Sequence, residues 1–213
     1  MIAIIDYRAG NLTSVKRALD FLEQDSVITS EYSSILNAER IIFPGVGAAG
    51  TAMDDLKRNK LDKALIESFQ KKIPILGICL GSQVIMDMSH ENDTPCLGLV
   101  EGEVVRFPDN LKDTQGRRLK VPHMGWNSVK LKRPHSLFEG IDPNSEFYFV
   151  HAYYPAPEAP DRILGETFYG INFTSVIMSH NLVATQFHPE KSGRPGLKIL
   201  DNFCKWDGKD NVE

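Results

Sequence analysis

The sequence predicts an α/β fold in which a mostly parallel, helix-flanked sheet carries an antiparallel extension. In the first half of the chain, short apolar strands alternate with helix-like stretches, a pattern typical of parallel sheets. Between about Gly98 and Gln186, short strands follow one another with turn residues between them, which indicates antiparallel pairing. The chain has 213 residues, of which 42% are hydrophobic, and this predicts one domain, residues 1–213, around one sizeable core.

The elements of the first half follow from apolar runs and their spacing. Four short apolar runs predict strands at residues 2–5, 27–29, 40–43 and 75–78. Apolar residues at helical spacing predict helices at residues 12–22, 53–69 and 83–88. Because the strands alternate with helices, their carboxyl ends should meet at one edge of the sheet, where ligands of such folds bind.

The second half contains the predicted extension and a closing helix. Runs bounded by turn residues predict strands at residues 104–107, 127–132, 146–151, 163–168, 174–179 and 182–187. A last helix is predicted at residues 196–206, where Leu197, Ile199, Leu200 and Phe203 have helix-like spacing. We expect this helix to close the core.

Composition excludes several classes of function. The net charge is −4 and charges of both signs are interspersed, so we expect no nucleic-acid partner. No apolar run approaches the roughly 20 residues of a membrane span, and no basic leader precedes the first strand, so we expect no membrane association. Cys79, Cys96 and Cys204 are odd in number and lack metal-ligand spacing, which favours a reducing cytoplasm and predicts no metal site. The sequence has no phosphate-binding loop, and we expect no cofactor.

The stretch Gly77-Ile78-Cys79-Leu80-Gly81 predicts a sharp turn from a strand into a helix, with a cysteine at the turn. Such an elbow strains the backbone, requires small neighbours, and presents the side chain above the sheet edge instead of packing it. The helix that follows favours a thiolate and leaves the Leu80 backbone N–H free to stabilise an oxyanion. The alternative is a small buried cysteine between two packing glycines.

A strand that ends in His188-Pro189-Glu190 supplies the other half of a possible catalytic triad. Histidine and glutamate two residues apart in an extended segment project to the same side. His188 can then accept the proton of Cys79, while Glu190 holds the other ring nitrogen and stabilises the imidazolium. The alternative for His188 alone is a loop residue in solvent or at a cap.

With these motifs the chain resembles the class I, triad-type glutamine amidotransferases. The resemblance lies in Gly77-Ile78-Cys79-Leu80-Gly81-Ser82-Gln83 and Gln186-Phe187-His188-Pro189-Glu190. Within that class the chain resembles the family of glutaminase subunits of imidazole glycerol phosphate synthase, through Ile5-Asp6-Tyr7-Arg8-Ala9-Gly10-Asn11-Leu12, Pro44-Gly45-Val46-Gly47, Val121-Pro122-His123-Met124-Gly125-Trp126-Asn127, Phe147-Tyr148-Phe149-Val150-His151 and Lys191-Ser192-Gly193. Two positions depart from the family pattern: Arg8 stands where glycine is frequent, and Ala152 where serine is common.

The resemblance implies a flavodoxin-like architecture and a reaction. L-glutamine would be hydrolysed to L-glutamate and ammonia through a thioester on Cys79. The ammonia would pass to a (β/α)8-barrel cyclase subunit, the partner in a heterodimer, which forms imidazole glycerol phosphate and an aminoimidazole carboxamide ribotide in histidine biosynthesis. The sequence itself shows no site for that ribonucleotide.

Two glycine-containing loops have both a structural and a functional interpretation. Pro44-Gly45-Val46-Gly47 is either a tight turn after a strand or the source of a second oxyanion donor. The resemblance implies the second, with the donor at Val46 and Gly47, and it puts Gly47, Gln83 and His123 near bound glutamine. The segment around His123 is either a buried aromatic plug or a loop beside the site, and the resemblance favours the loop.

The partner is expected on the face that carries the strand carboxyl ends. The positions we assign to this face are Arg8, Asn11, Trp126 and Lys191. Asn11 is also a good N-cap candidate for the helix that begins at Leu12, so both roles are open. Lys191 directly follows Glu190, which places a cation within reach of a carboxylate on a partner.

Three rival functions remain open from the sequence. A cysteine peptidase or γ-glutamyl hydrolase of the same architecture would keep the elbow and the histidine, but would turn over peptides instead of glutamine. A non-catalytic interaction subunit would have no physical need for Cys79, His188 and Glu190 together. A glutaminase that serves another acceptor, such as a sugar-modifying amidotransferase, would be distinguished by its partner chain.

Overall fold

The computed structural model describes residues 1–8 and 10–209. Ala9, part of one family-like stretch, lies outside the described residues. In chain order the strands are β1 (Ile2–Ile5), β2 (Ser26–Thr29), β3 (Arg40–Gly45), β4 (Ile75–Cys79), β5 (Met88–Ser89), β6 (Thr94–Pro95), β7 (Gly102–Arg106), β8 (His123–Ser128), β9 (Lys130–Leu131), β10 (Glu146–His151), β11 (Tyr153–Pro157), β12 (Ile163–Phe168), β13 (Asn172–Ser179) and β14 (Leu182–Thr185).

Six α-helices lie within the described residues: α1 (Leu12–Phe21), α2 (Tyr32–Leu36), α3 (Ala49–Arg58), α4 (Leu61–Gln70), α5 (Leu80–Val84) and α6 (Gly193–Lys205). Three short 3-10 helices cover Ser136–Phe138, Pro160–Arg162 and Pro189–Lys191. None of the helices in residues 1–8 and 10–209 is long and apolar enough to cross a membrane.

One eight-stranded sheet forms the centre of the molecule, in the order β2-β1-β3-β4-β14-β13-β12-β9. The pairs from β2 to β14 are parallel, and the pairs from β14 to β9 are antiparallel. This confirms the predicted parallel sheet with its antiparallel extension. The parallel register sets Gly45 opposite Cys79 and Thr185 opposite Ile78, so the segments that follow β3, β4 and β14 meet at one edge.

Both faces of the sheet are buried because alternate residues of each strand point to opposite sides. Ile2 and Ile4 of β1 pack in one apolar cluster, with Leu19, Leu200 and other side chains of the flanking helices. Ala3 and Ile5 pack in a second cluster, which also contains residues of α3 and α4. The sheet that carries the candidate catalytic residues at its edge is therefore packed on both faces.

Two smaller sheets cover the region beside that edge. Strand β10 pairs antiparallel with β8, and a four-stranded sheet has the order β11-β7-β5-β6. The predicted strand at residues 127–132 is therefore wrong as a single element, since β8 ends at Ser128 and β9 joins the main sheet.

Two predicted helices also differ from the structure. The stretch 53–69 is two helices, α3 and α4, because Lys60 adopts a left-handed backbone with φ 58° that turns the chain between them. The helix predicted at residues 83–88 begins earlier, at Leu80, and ends at Val84, and Met88 lies in β5 instead. The apolar residues Val84, Ile85 and Met86 are buried although the helix ends at Val84. Their hydrophobicity therefore did not reveal where the helix ends.

Candidate active site

Cys79 is the last residue of β4 and stands in a strained backbone conformation, with φ 53° and ψ −105°. The flanking glycines are required by close packing. A Cβ on Gly81 would lie 2.0 Å from the Phe43 carbonyl oxygen, and one on Gly77 would lie 3.0 Å from the Ala184 Cβ. The elbow predicted from the sequence is therefore present, and backbone crowding is the reason for its glycines.

The Cys79 side chain is 6% exposed, so the thiol is more deeply buried than the elbow motif predicts. It does open onto a cavity of about 320 Å³. The cavity wall also includes Val46, Gly47, Leu80, Gln83, Glu91, Pro122, Val150, His151, Ala152 and Tyr153. A ligand in this cavity would touch the sulfur, the Val46–Gly47 peptide and the start of α5.

His188 and Glu190 form a buried pair just beyond β14. The His188 Nδ1 atom lies 2.7 Å from Glu190 Oε1, and both side chains are almost fully removed from solvent. Glu190 is carried by the 3-10 helix Pro189–Lys191, which turns its carboxylate back toward the ring. Because a carboxylate can only accept, Nδ1 carries the proton and Nε2 is the ring atom available to the sulfur.

The charge of His188 is stabilised in the site. Burial alone would lower its pKa, but interactions with Cys79 and Glu190 outweigh the burial and raise the pKa to about 10. Nε2 is buried and makes no well-aligned hydrogen bond within the described residues, so it is oriented by Glu190 and by its attraction to the sulfur. This arrangement can hold a thiolate beside an imidazolium, the pairing that activates a cysteine nucleophile.

Asn11 contacts the triad carboxylate. Its Nδ2 donates a hydrogen bond to Glu190 Oε1. The expectation that its side chain caps α1 is wrong: the residue occupies the N-cap position, but its backbone carbonyl accepts the bonds from Ser14 and Val15, and the side chain makes no cap bond. The Asn11 backbone is left-handed, with φ 78°, a conformation that asparagine tolerates better than most residues.

The loop after β3 has the shape that the glycines predicted. Gly47 has φ +105°, which favours glycine, and Val46 is half-exposed on the cavity wall. Gly45 is needed for space, because a Cβ there would lie 1.9 Å from the Tyr7 hydroxyl. Tyr7 is buried against Phe43, and burial together with the nearby Cys79 raises its pKa, so the phenol stays neutral.

His123 lies behind the cavity wall instead of on it. Its ring stacks between Phe149 and Tyr169, and its Nδ1 is 3.2 Å from Nε2 of His151, which does line the cavity. His151 in turn donates from Nδ1 to the Tyr153 carbonyl. Burial lowers the pKa of His123 to about 4 and of His151 to about 3, so both rings are neutral at physiological pH.

The four positions assigned to a partner face lie around the site. Arg8 and Lys191 are exposed, Asn11 is half-buried, and Trp126 is 53% exposed. Trp126 packs edge-on against Tyr148, whose carbonyl accepts the backbone N–H of His188. Met124, which the sequence did not single out, is 64% exposed on the same strand, β8.

Several residues of the site were not singled out from the sequence. Glu91 lines the cavity, and its carboxylate accepts the backbone N–H of Ala49. Gln186 adjoins the thiol directly, with its Nε2 3.7 Å from the Cys79 sulfur, and Tyr153 lines the same cavity and accepts a hydrogen bond from Gln83. Glu91 lies outside the quoted motifs, so periodicity could not find it, whereas Gln186 opens the quoted stretch that ends in Glu190. Among residues 1–8 and 10–209, no group of three or more metal-ligating side chains is present.

The chain matches one family profile over nearly its whole length. The profile described as "Glutamine amidotransferase class-I" covers residues 3–206. The chain is 52% identical over 206 residues to "Imidazole glycerol phosphate synthase subunit HisH" from Maridesulfovibrio salexigens, and the alignment spans 97% of each of the two chains. It is 47% identical over 206 residues to the protein of that name from Dehalococcoides mccartyi strain 195, spanning 96% of this chain and 97% of the relative.

Solved structures with the same fold are more distant in sequence. A putative GMP synthase protein from Thermoplasma acidophilum superposes with a TM-score of 0.69 at 21% identity, over 96% of this chain and 92% of that chain. The structure of PurLQS from Thermotoga maritima gives a TM-score of 0.68 at 15% identity, over 96% and 97% of the two chains. At these identities the likeness shows a shared fold alone.

Proposed function

The chain belongs to the class I glutamine amidotransferases and, within them, to the family of imidazole glycerol phosphate synthase subunit HisH. We propose the following mechanism for glutamine hydrolysis at its Cys79 site. The chain is an enzyme that hydrolyses L-glutamine to L-glutamate and ammonia and supplies the ammonia to a cyclase subunit in histidine biosynthesis. The observation that carries the mechanism is the strained Cys79 on the wall of a cavity, near the buried His188–Glu190 pair.

In the first step, the Cys79 thiolate attacks the side-chain amide carbon of glutamine. His188, held as an imidazolium by Glu190 and the sulfur, gives its proton to the departing ammonia. The C–S bond forms first and gives a tetrahedral oxyanion. The C–N bond then breaks, ammonia leaves with the proton from His188, and a thioester remains on Cys79. A water molecule, deprotonated by His188, then attacks the thioester and releases glutamate.

Backbone N–H groups at two loops are the proposed oxyanion donors. Leu80 opens α5 directly after Cys79 and lines the same cavity, so its backbone N–H is the first proposed donor. Val46 and Gly47 line the same cavity from the loop after β3. The positive φ of Gly47 supports a loop whose peptide plane can turn to donate its N–H.

Glutamine is proposed to lie against Gly47 and Gln83. Both residues line the cavity, and Gln83 is held in place by the Tyr153 carbonyl, 2.9 Å from its Nε2. His123 takes part indirectly, because its ring supports His151 from behind and His151 forms the wall. A neutral His151 suits a pocket for an uncharged amide.

The cyclase is proposed to be a (β/α)8 barrel that forms a heterodimer with this chain. Arg8, Asn11, Trp126 and Lys191 surround the site on the side of the strand carboxyl ends. Ammonia is small and readily protonated in water, so the acceptor must seal this face during transfer. We also propose a cytoplasmic location, supported by the free thiols of Cys79, Cys96 and Cys204.

Ammonia release from glutamine, with and without the cyclase and its nucleotide, tests this function. The isolated chain should be slow, because a constantly active hydrolase would waste glutamine, and the cyclase should raise the rate by on the order of 10²–10³, the effect of one oxyanion donor. Parallel assays with γ-glutamyl peptides distinguish a glutaminase from a peptidase or γ-glutamyl hydrolase. Turnover of peptides in preference to glutamine, or no stimulation by the cyclase, would contradict the proposal.

A further inference from the structure

Gln186 is completely buried beside the nucleophile and has no part in the reaction steps above. Its backbone N–H donates to the Ser175 carbonyl at 2.9 Å, which fixes the residue just after β14. Its side-chain Nε2 lies 3.7 Å from the Cys79 sulfur, and its Oε1 lies 3.0 Å from Gln83 Nε2. The amide therefore bridges the thiol and a second buried amide.

The orientation of both amides follows from the end of this chain of contacts. Gln83 places one terminal atom 2.9 Å from the Tyr153 carbonyl, and a carbonyl can only accept a hydrogen bond. That atom must be nitrogen, and the same nitrogen donates its other proton to Gln186. The Gln186 atom on this side must then be its oxygen, so its NH₂ group faces the sulfur.

An N–H donor discriminates between the two forms of a cysteine. A thiolate carries a full negative charge and accepts a hydrogen bond more strongly than a neutral thiol. The N···S distance of 3.7 Å is suitable for a bond to sulfur. We propose that Gln186 is a positioning residue that holds Cys79 in the thiolate form and in its attacking rotamer, fixed in turn by Gln83 and the Tyr153 carbonyl. This rests on the proposed function, in which Cys79 is the nucleophile.

Other titratable groups also lie around the Cys79 sulfur. His188 favours the thiolate by its positive charge, and the Glu91 side chain lies on the wall of the same cavity. Tyr7 is kept neutral by burial and by the nearby sulfur, and burial keeps His151 neutral. Gln186 adds a donor without adding charge, so its loss can be separated from the contribution of His188.

The test is alkylation of Cys79 by iodoacetamide as a function of pH, in the full chain without glutamine. Gln186→Met keeps the volume but removes the donor, and should lower the rate at neutral pH about tenfold and move the midpoint up by about one pH unit. Peptide mapping isolates Cys79 from the other thiols. Burial raises the pKa of Cys96 and of Cys204 to about 11, so both should react slowly.

Two further variants sharpen the result. Gln186→Glu keeps the acceptor for Gln83 but puts a carboxylate against the sulfur, and should shift the midpoint further than Gln186→Met. Asn181→Asp is the matched control: a buried amide that donates to the Ile73 carbonyl just before β14, at the strand end away from Cys79. An unchanged midpoint in folded Gln186→Met and Gln186→Glu, or an equal shift in Asn181→Asp, would overturn the proposal.

Measurements on the unaltered chain keep the test decisive if a variant does not fold. The side-chain NH₂ signal of Gln186 in a ¹⁵N-labelled sample should move as Cys79 ionises and stay fixed in Cys79→Ala. A signal that behaves identically in both chains contradicts the proposal. If instead Cys79 is not the nucleophile, alkylation of Cys79 would leave glutamine hydrolysis intact, so this outcome is distinguishable from failure of the Gln186 proposal.

Discussion

At the scale of single residues, the His188–Glu190 pair controls how the site responds to pH. Cys79 and Glu190 together outweigh burial and raise the His188 pKa to about 10, and Glu190→Gln removes the charge of one of these two partners. The imidazolium should then be lost at lower pH, so the alkaline limb of the kcat/KM profile should move toward neutrality. His188→Asn should lower kcat by about 10²–10⁴, and Glu190→Gln by less, because the amide still orients the ring. An unchanged alkaline limb in Glu190→Gln would remove Glu190 from the triad.

Asn11 should support catalysis through its contact with Glu190. Asn11→Ala removes one hydrogen bond from a buried carboxylate, and we expect kcat for glutamine hydrolysis to fall about tenfold. KM should change little, because Asn11 does not line the cavity. Thr13→Ala, an exposed neighbour on α1, is the control. A raised KM with unchanged kcat would contradict a role through Glu190.

The sequence predicted the local structure around Cys79 better than the contacts that support the candidate triad. The elbow at Cys79 follows from its local sequence. The expectation of an extended segment from His188 to Glu190 is wrong, because the 3-10 helix Pro189–Lys191 turns the Glu190 carboxylate toward the His188 ring instead. Asn11 joins Glu190 across 179 positions of sequence, and Glu91 reaches the cavity from a loop. Those contacts depend on the packing of whole elements, which no local pattern encodes.

At the scale of elements, the elbow between β4 and α5 depends on a backbone approach that only glycine permits. Gly81→Ala would set a Cβ 2.0 Å from the Phe43 carbonyl, so β3 or α5 must shift, at a cost of about 1–3 kcal/mol in the free energy of unfolding. Gly50→Ala in α3 is the control, because its Cβ would meet only the Thr94 hydroxyl at 3.3 Å.

Urea unfolding measures both variants. If residues 1–213 form one domain, each chain should unfold in one cooperative transition, with a lower midpoint for Gly81→Ala alone. Equal midpoints for Gly81→Ala and the unaltered chain would show that the crowding at the elbow is relieved without cost.

Strands whose own sequence has a clear apolar or alternating pattern were predicted with their observed bounds. Elements that depend on pairing with distant strands were not. Strands β1, β10 and β12 match the predictions at both ends, because each is an apolar or alternating run between turn residues. Strand β11 was missed, since Pro155 and Pro157 weaken the strand pattern and its pairing with β7 supplies the order. Helix α2 was missed because Ile35 is its one fully buried residue, too few for a periodic signal.

At the scale of the whole molecule, ammonia transfer requires the cyclase to dock over the site. Arg8 and Lys191 are exposed cations beside it, and carboxylates on the cyclase are suitable counterparts. Arg8→Gly and Lys191→Ala should each weaken binding at low salt, and the loss should shrink as salt rises. Arg58→Ala, on the exposed end of α3, is a control of equal charge. If affinity and glutaminase stimulation are unaltered in both variants, the docking face is wrong at these positions.

In the proposed mechanism, Cys79 generates the ammonia that the cyclase consumes. The most direct measurement is synthesis by the reconstituted complex of Cys79→Ser with the cyclase, supplied either with glutamine or with an ammonium salt. We expect glutamine-dependent synthesis to be abolished and ammonium-dependent synthesis to be retained, because the nucleophile alone is lost. Glutamine-dependent synthesis that persists in Cys79→Ser would contradict this claim.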